Sequence, residues 1–230
     1  MSSKFPHTLS SAEAADAQRT DVHQGLSADE ATRRLAEHGS NALPQPPRRH
    51  WLQRFGAQFA NALIVFLLAA ATVAAALSHW IDASVIVAVV LVNAVVGMLQ
   101  EGKAEAAMDA LRDMLTPTAA VLRDGQRQSV DVASLVPGDV VLIEAGDRVP
   151  ADLRLLDARA LRIDEALLTG ESVTAEKSIA AVAADAPLGD RVGMAYSGTL
   201  VAAGQGRGVV VATGARTEIG RISAMLGAIE

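Results

Sequence analysis

The residues best placed to do chemistry are Thr169-Gly170-Glu171-Ser172, which close the apolar stretch that begins at Asp164-Glu165-Ala166-Leu167-Leu168. Gly170 has no Cβ and reaches backbone angles closed to other residues, so it can bring the loop close to a partner surface. Thr169 and Ser172 can lock the loop through hydroxyl bonds to backbone, leaving Glu171 presented outward and held on both sides. Taken alone, the tetrapeptide reads better as an ordinary surface turn carrying a solvated glutamate, and only the rest of the sequence reverses that reading. Other chemical groupings are weaker. The five histidines, His7, His23, His38, His50 and His79, stand singly with no ligand-like spacing, and the chain has no cysteine. Disulfides, thiolate metal sites and a metal site of protein N or S ligands are therefore not expected. Asp147 and Asp152 could ligate a metal but read better as turn-forming, backbone-bonding residues. Gly204-Gln205-Gly206-Arg207-Gly208 lacks the Lys-Ser/Thr ending of a P-loop and the helix of a dinucleotide fingerprint, so it reads as a hairpin turn.

The elements that must position Glu171 begin with composition. The chain has 230 residues, half of them hydrophobic and only 3% aromatic. Its Ala, Val and Leu are concentrated in one region, which points to lipid-facing helices beside a soluble part. A net charge of −6 with no dense Lys/Arg run argues against a nucleic-acid partner. Residues 59–80 and 83–99 are almost wholly apolar, each close to the length of a spanning helix. Only His79-Trp80-Ile81-Asp82 separates them, which predicts a tight turn and a helical hairpin. Arg48, Arg49 and Arg54 precede the first run, Lys103 follows the second, and the turn has no Lys or Arg, so both ends are predicted cytoplasmic, with Trp51 and Trp80 at opposite interfaces. Asn93 in the second run is expected to make an interhelical hydrogen bond.

Before this hairpin no signal peptide is expected, because the residues after Met1 are polar. Ser27-Ala28-Asp29-Glu30 fits a capping box with Glu30 reaching back, and Leu26 can staple onto Ala31. The helix it starts should end near His38, with Gly39 at C′, and Ser10 to Glu13 can cap a shorter helix. Leu43-Pro44-Gln45-Pro46-Pro47 reads as an extended linker. After the hairpin, Ala104, Met108, Leu111 and Leu115 keep helical spacing, so the second membrane helix should continue as a stalk until Thr116-Pro117. Short strands follow: 118–123 and 126–132 about the turn Asp124-Gly125, then 140–144 and 153–157, with Pro137-Gly138 set for a type II turn. Residues 194–201 and 208–213 are predicted to form a hairpin about the glycine cluster. A closing helix over 217–229 carries Ile219, Ile222, Met225 and Leu226 on one side.

The order of these signals is more specific than any one of them. Asn93-Ala94-Val95-Val96-Gly97 to Gln100-Glu101, Val136-Pro137-Gly138-Asp139, Gly146-Asp147 to Pro150-Ala151-Asp152, Thr169-Gly170-Glu171-Ser172, Tyr196-Ser197-Gly198-Thr199 and Thr213-Gly214 to Ile219-Gly220-Arg221-Ile222 together resemble the front end of a P-type cation-transporting ATPase. Gly25-Leu26-Ser27 through Asn41-Ala42-Leu43-Pro44 is similar to that family's amino-terminal segment, and the calcium-pump-like branch is the nearer one. The resemblance implies a membrane α-helical hairpin plus a mainly-β cytoplasmic actuator domain, distorted jelly-roll-like, with small flanking helices. The expected organisation is a helical segment over 1–47, the hairpin over 48–100, the stalk over 101–116, the actuator over 117–214 and a helix over 215–230 leading toward a third membrane helix.

The same resemblance assigns the loop a task. Such pumps transfer the ATP γ-phosphate to an aspartate, and water must then attack the acyl phosphate in line. Glu171 is implied to orient and partly deprotonate that water, with Thr169, Gly170 and Ser172 shaping the loop. ATP and Mg2+ are implied for the complete pump, with no cofactor held by this chain. The implied partners are the remainder of the pump and the lipid bilayer of an inner (plasma) membrane. Departures accompany the match. The chain contains no Asp-Lys-Thr-Gly-Thr motif, so by itself it is expected to be inactive. Thr174 stands where many relatives carry proline, and Gln58-Phe59-Ala60-Asn61 lacks acidic residues found there in some calcium pumps. The alternative is a truncated, membrane-anchored interaction module without catalysis.

Overall fold

The structure is a computed structural model that describes residues 5–43, 55–56, 59–114 and 117–227. The chain divides into two compact units, Met1–Pro44 with Pro117–Glu230, and Gln45–Thr116.

The first unit is built on an antiparallel sheet of β1 (Thr118–Arg123), β2 (Gln126–Asp131), β3 (Val140–Glu144), β4 (Asp152–Asp164), β5 (Ala175–Glu176), β6 (Met194–Ala195) and β7 (Leu200–Ala212). The order is β2-β1-β3-β7-β4-β5, with β6 also paired to β4. The β1–β2 turn is as expected: Asp124 and Gly125 both have positive φ, 50° and 71°, the geometry whose twist matches the flanking strands. Pro137-Gly138 also turns as expected, with Gly138 at φ 98° and Asp139 N–H donating to Val136 O.

The hairpin expected about Gly204–Gly208 is overturned. β7 runs unbroken through those glycines, pairing with β3 on one side and with β4 on the other. The glycines permit close backbone approach instead of a turn. A Cβ on Gly206 would sit 2.8 Å from Asp157 O, and one on Gly208 would sit 2.8 Å from Leu153 Cβ. β4 is likewise longer than the 153–157 segment expected, because bulges at Leu155/Asp157 and Arg159/Arg162 let it bend and keep pairing to Asp164. The core lies under this sheet, with Val121, Leu135, Val141, Leu153, Leu155, Leu161, Ile163 and Val210 fully buried.

The amino-terminal segment covers the other side of β4. It carries α1 (Ser11–Ala17), with a complete capping box from Ser10 and Glu13, and α2 (Ala28–His38). Ser27 caps α2 by accepting from Glu30 N–H, and Leu26 and Ala31 pack together with Val136. Glu30 does not reach back, however. Its carboxylate takes hydrogen bonds from Arg33 and Arg34, which hold its pKa down at about 2. Arg34 goes on to donate to Gln18 O and Pro137 O, so the ion pairing ties α2 to the β3 turn. Arg154, buried on β4, donates to Leu9 O, Ile179 O and Gly193 O, joining the amino-terminal segment to the loop before β6.

The second unit is a pair of helices, α3 (Ala62–Ala76) and α4 (Trp80–Met114), packed on one another. Asn61 caps α3 by accepting from Leu63 N–H, which starts the helix later than residue 59. The turn falls at Leu77-Ser78-His79, and Trp80 belongs to α4, whose first turn holds Asp82 where a negative charge suits the helix dipole. As expected, α4 continues without a break into the stalk region, ~52 Å in all at 1.5 Å per residue. The residues Trp80–Met108 form a helix long and apolar enough to cross a membrane; α3 is a shorter apolar helix. Ala83, Val90 and Ala94 supply the buried line of α4. Asn93 lies off that line, exposed, and makes no interhelical hydrogen bond among the described residues. The flanking Arg48, Arg49, Arg54 and Trp51, the linker from Pro44 and the helix end at Leu115-Thr116 lie outside the described residues.

A single helical turn, α5 (Ala166–Thr169), follows β4, and after β7 a last helix, α6, covers Glu218–Gly227, with Ile222, Met225 and Leu226 exposed.

Candidate functional site

Residues 165–174 form a loop whose base is closed by a two-rung ladder: Arg162 and Ile163 of β4 pair with Glu176 and Ala175 of β5. Within it, α5 (Ala166–Thr169) is one turn of helix, started by Asp164 Oδ1 accepting from Ala166 N–H. Glu165 O then accepts from the N–H groups of Leu168 and Thr169. Gly170 ends the turn in the left-handed conformation, φ 74° and ψ 1°, with its N–H on Ala166 O. A residue with a side chain is strained there, which is the physical reason for glycine at this position.

Thr169 makes the lock read from the sequence. Its hydroxyl donates to Glu165 O at 3.1 Å and accepts from Glu171 N–H at 3.2 Å, fixing the backbone on both sides of Gly170. Its methyl group faces Gly189, 3.5 Å from where a Cβ would stand, so the loop rests on the Leu188–Asp190 turn. Ser172 does not contribute a second lock, since its hydroxyl makes no hydrogen bond among the described residues. Glu171 is exposed, as are the nearby loop residues Leu167 and Val173, at 65% and 79%. Thr169, Gly170, Glu171 and Ser172 thus stand together at the outer end of a loop with a rigid base.

The other sequence motifs are joints in the fold. Asp139 is fully buried and paired with Arg123 at 2.7 Å, and it accepts from Val136 N–H. Asp147 accepts from Glu144 N–H, while the surrounding loop is stitched to Tyr196-Ser197-Gly198-Thr199 by Val149 N–H to Thr199 O and Gly198 N–H to Val149 O. Asp152 accepts from Ser197 N–H at 2.9 Å and from Glu218 N–H, the first residue of α6, at 2.8 Å. Burial raises its pKa to about 6 against those two donors. Asn41 bonds Val132 O, Pro150 O and Gly214 N–H, tying three motif regions together.

A pair that sequence reading missed lies at the base of the loop. Lys177 Nζ and Glu165 Oε1 are 2.6 Å apart, with side chains 0% and 2% exposed. Burial pushes the Glu165 carboxyl up and the Lys177 amine down, while each charge draws the other back toward its ionised form. The amine also lies 5.9 Å from the Tyr196 ring centroid. These two residues are twelve positions apart across a loop, so no helical or strand period reports their meeting.

Residues 113–227 match the family model described as the P-type ATPase actuator domain, and residues 6–74 match the one described as the cation transporter/ATPase N-terminus. A probable cation-transporting ATPase F of Mycobacterium tuberculosis is 48% identical over 211 residues, 92% of this chain and 23% of the relative. A calcium-transporting ATPase of Bacillus subtilis is 39% identical over 221 residues, 96% of this chain and 25% of the relative. A sodium/potassium exporting P-type ATPase of Schizosaccharomyces pombe is 41% identical over 210 residues, 90% of this chain and 20% of the relative. The chain spans a fifth to a quarter of the length of these relatives and belongs to the P-type cation-transporting ATPase family, with an actuator domain built on its β sheet.

Proposed function

We propose that this chain acts as the actuator and first membrane segment of an ATP-driven cation pump, and that Glu171 promotes hydrolysis of the pump's aspartyl-phosphate intermediate. In this reading the outer end of the loop enters the phosphorylation site. Glu171 orients the attacking water and accepts its proton as the O–P bond forms and the aspartate carboxylate leaves. Thr169 and Gly170 set the backbone that aims it. Catalysis of this step rests on positioning more than on covalent chemistry, so a carboxylate held by backbone bonds on a rigid base suits it. That combination, an exposed Glu171 whose own N–H is locked by Thr169 beside a left-handed Gly170, is the observation that carries the proposal.

α3 and α4 would cross the membrane as a hairpin with both ends cytoplasmic, and the unbroken α4 would transmit actuator rotation to the ion path. Domain limits of 1–47, 48–100, 101–116, 117–214 and 215–230 follow from this assignment. The chain itself carries no Asp-Lys-Thr-Gly-Thr motif, so ATP, Mg2+ and the phosphorylated aspartate belong to the remainder of the pump, and the chain alone is inactive. The relatives' names mention calcium, sodium/potassium or cations generally, so the family leaves the transported ion open within that class.

The test is complementation in membranes with the remaining part of a related pump. After ATP is added, the native chain should speed phosphoenzyme decay and Glu171→Gln should make phosphoenzyme accumulate. Equal decay would remove the catalytic role.

A further inference from the structure

The Glu165–Lys177 pair sits at an unusual place for a buried ion pair. Glu165 is the last residue before the loop's helical turn and Lys177 the first after β5, so the pair joins the two chain ends from which the loop springs. Lys177 N–H donates to Leu161 O, which holds its backbone to β4. Apart from one another, neither Lys177 Nζ nor either Glu165 carboxylate oxygen has a hydrogen-bond partner among the described residues. The pair therefore leads directly to Glu171: Lys177 Nζ to Glu165 Oε1 at 2.6 Å, Glu165 O to the Thr169 hydroxyl at 3.1 Å, and that hydroxyl to Glu171 N–H at 3.2 Å.

Stability is a poor reason for such a pair. Taking both charges out of water carries a large desolvation cost, and replacing a buried pair by apolar residues of similar volume is often neutral or stabilising. Geometry is the better reason, because a charged hydrogen bond has a narrow distance and direction, whereas two apolar side chains can slide. Sub-ångström placement matters for an in-line attack, where ~1 Å of misplacement can cost about a hundredfold in rate.

We infer that Glu165 and Lys177 are positioning residues for Glu171, their ion pair fixing the base of the loop so that the Thr169-linked backbone holds the carboxylate in register for water attack. This rests on the reading of Glu171 given above. The experiment uses the complete pump carrying this segment, in membranes, with Glu171→Gln as reference. Glu165→Leu/Lys177→Met should fold with native thermal stability and form phosphoenzyme at the native rate, yet dephosphorylate about ten- to hundredfold more slowly, so that phosphoenzyme accumulates. Native decay in that variant would overturn the inference. Should the double variant not fold, Glu165→Gln carries the same test, with native phosphoenzyme formation and slowed decay supporting positioning and native decay refuting it. A purely structural role would lower phosphoenzyme level and stability together without a selective effect on decay. If Glu171→Gln traps phosphoenzyme while the pair variants decay normally, only the pair's role falls. If Glu171→Gln itself decays normally, the underlying reading of Glu171 falls.

Discussion

Valines of the sheet and valines of the helix pair meet opposite surroundings. Val121, Val140, Val141, Val209 and Val210 are 0% exposed, whereas Val85, Val89 and Val92 are 56–64% exposed. The sheet makes its own interior, because β1, β3, β4 and β7 turn alternate side chains onto one shared core. Among its described residues the helix pair buries only a narrow line, Ile64 and Ala71 of α3 and Ala83, Val90 and Ala94 of α4, and turns many larger apolar side chains outward. That outward apolar surface supports the proposed placement of these helices in a membrane. Hydrophobic residues alike in kind thus stabilise one unit by its own packing and would stabilise the other through its surroundings.

Mutations can break or sharpen that contrast. Leu153→Ala, in the buried centre of β4, should cost ~2–5 kcal/mol in urea unfolding of the sheet unit, because a cavity forms among residues that cannot collapse. Leu91→Ala on α4, 46% exposed, should change helix-pair stability in detergent by under ~1 kcal/mol. Equal losses would end the distinction between the two apolar surfaces.

The next largest effect concerns pH. The Asp152 pKa is raised to about 6 in the folded unit, above the value near 4 of an unfolded chain, so the folded state binds the proton more tightly. Its contribution to stability is present below pH 4 and is lost as pH rises through 6, an effect of roughly 3 kcal/mol. Melting temperatures of native chain and Asp152→Asn, compared from pH 4 to 7, should therefore differ by an amount that changes across this window. A constant difference would show that the two N–H donors offset burial, leaving the pKa unshifted.

Glycine provides the finest comparison. Gly206→Ala should destabilise the sheet unit by ~1–3 kcal/mol, since the new methyl meets Asp157 O and Leu161 Cδ2. Gly102→Ala on α4, with nothing within 4 Å of the added Cβ, should raise helix stability by up to ~1 kcal/mol. Opposite signs in thermal melts would support the difference in packing, and like signs would not.

Local chemistry explains which parts were legible. Asp124-Gly125 and Pro137-Gly138 specify their turns through φ alone, and Ser10 and Ser27 specify helix starts through one hydroxyl each. Gly204–Gly208 misled because glycine serves equally for a turn and for close strand contact, and only the neighbouring strands distinguish the two. Glu30 misled for a similar reason: Arg33 and Arg34 compete for its carboxylate, and Arg34 is oriented by Pro137, about a hundred residues away.

The sequence by itself determined the apolar helices and the Thr169-Gly170-Glu171-Ser172 loop, because each depends on residues within a few positions of one another, and it determined the family resemblance because the order of such local motifs along the chain needs no fold to be read. Tertiary structure alone decided that β7 passes straight through its glycines, that Asp152 holds the start of α6, and that Glu165 and Lys177 meet beneath the loop. Those outcomes depend on burial and on contacts between distant segments, where the cost of dehydrating a charge or crowding a Cβ is set by neighbours that no local pattern names.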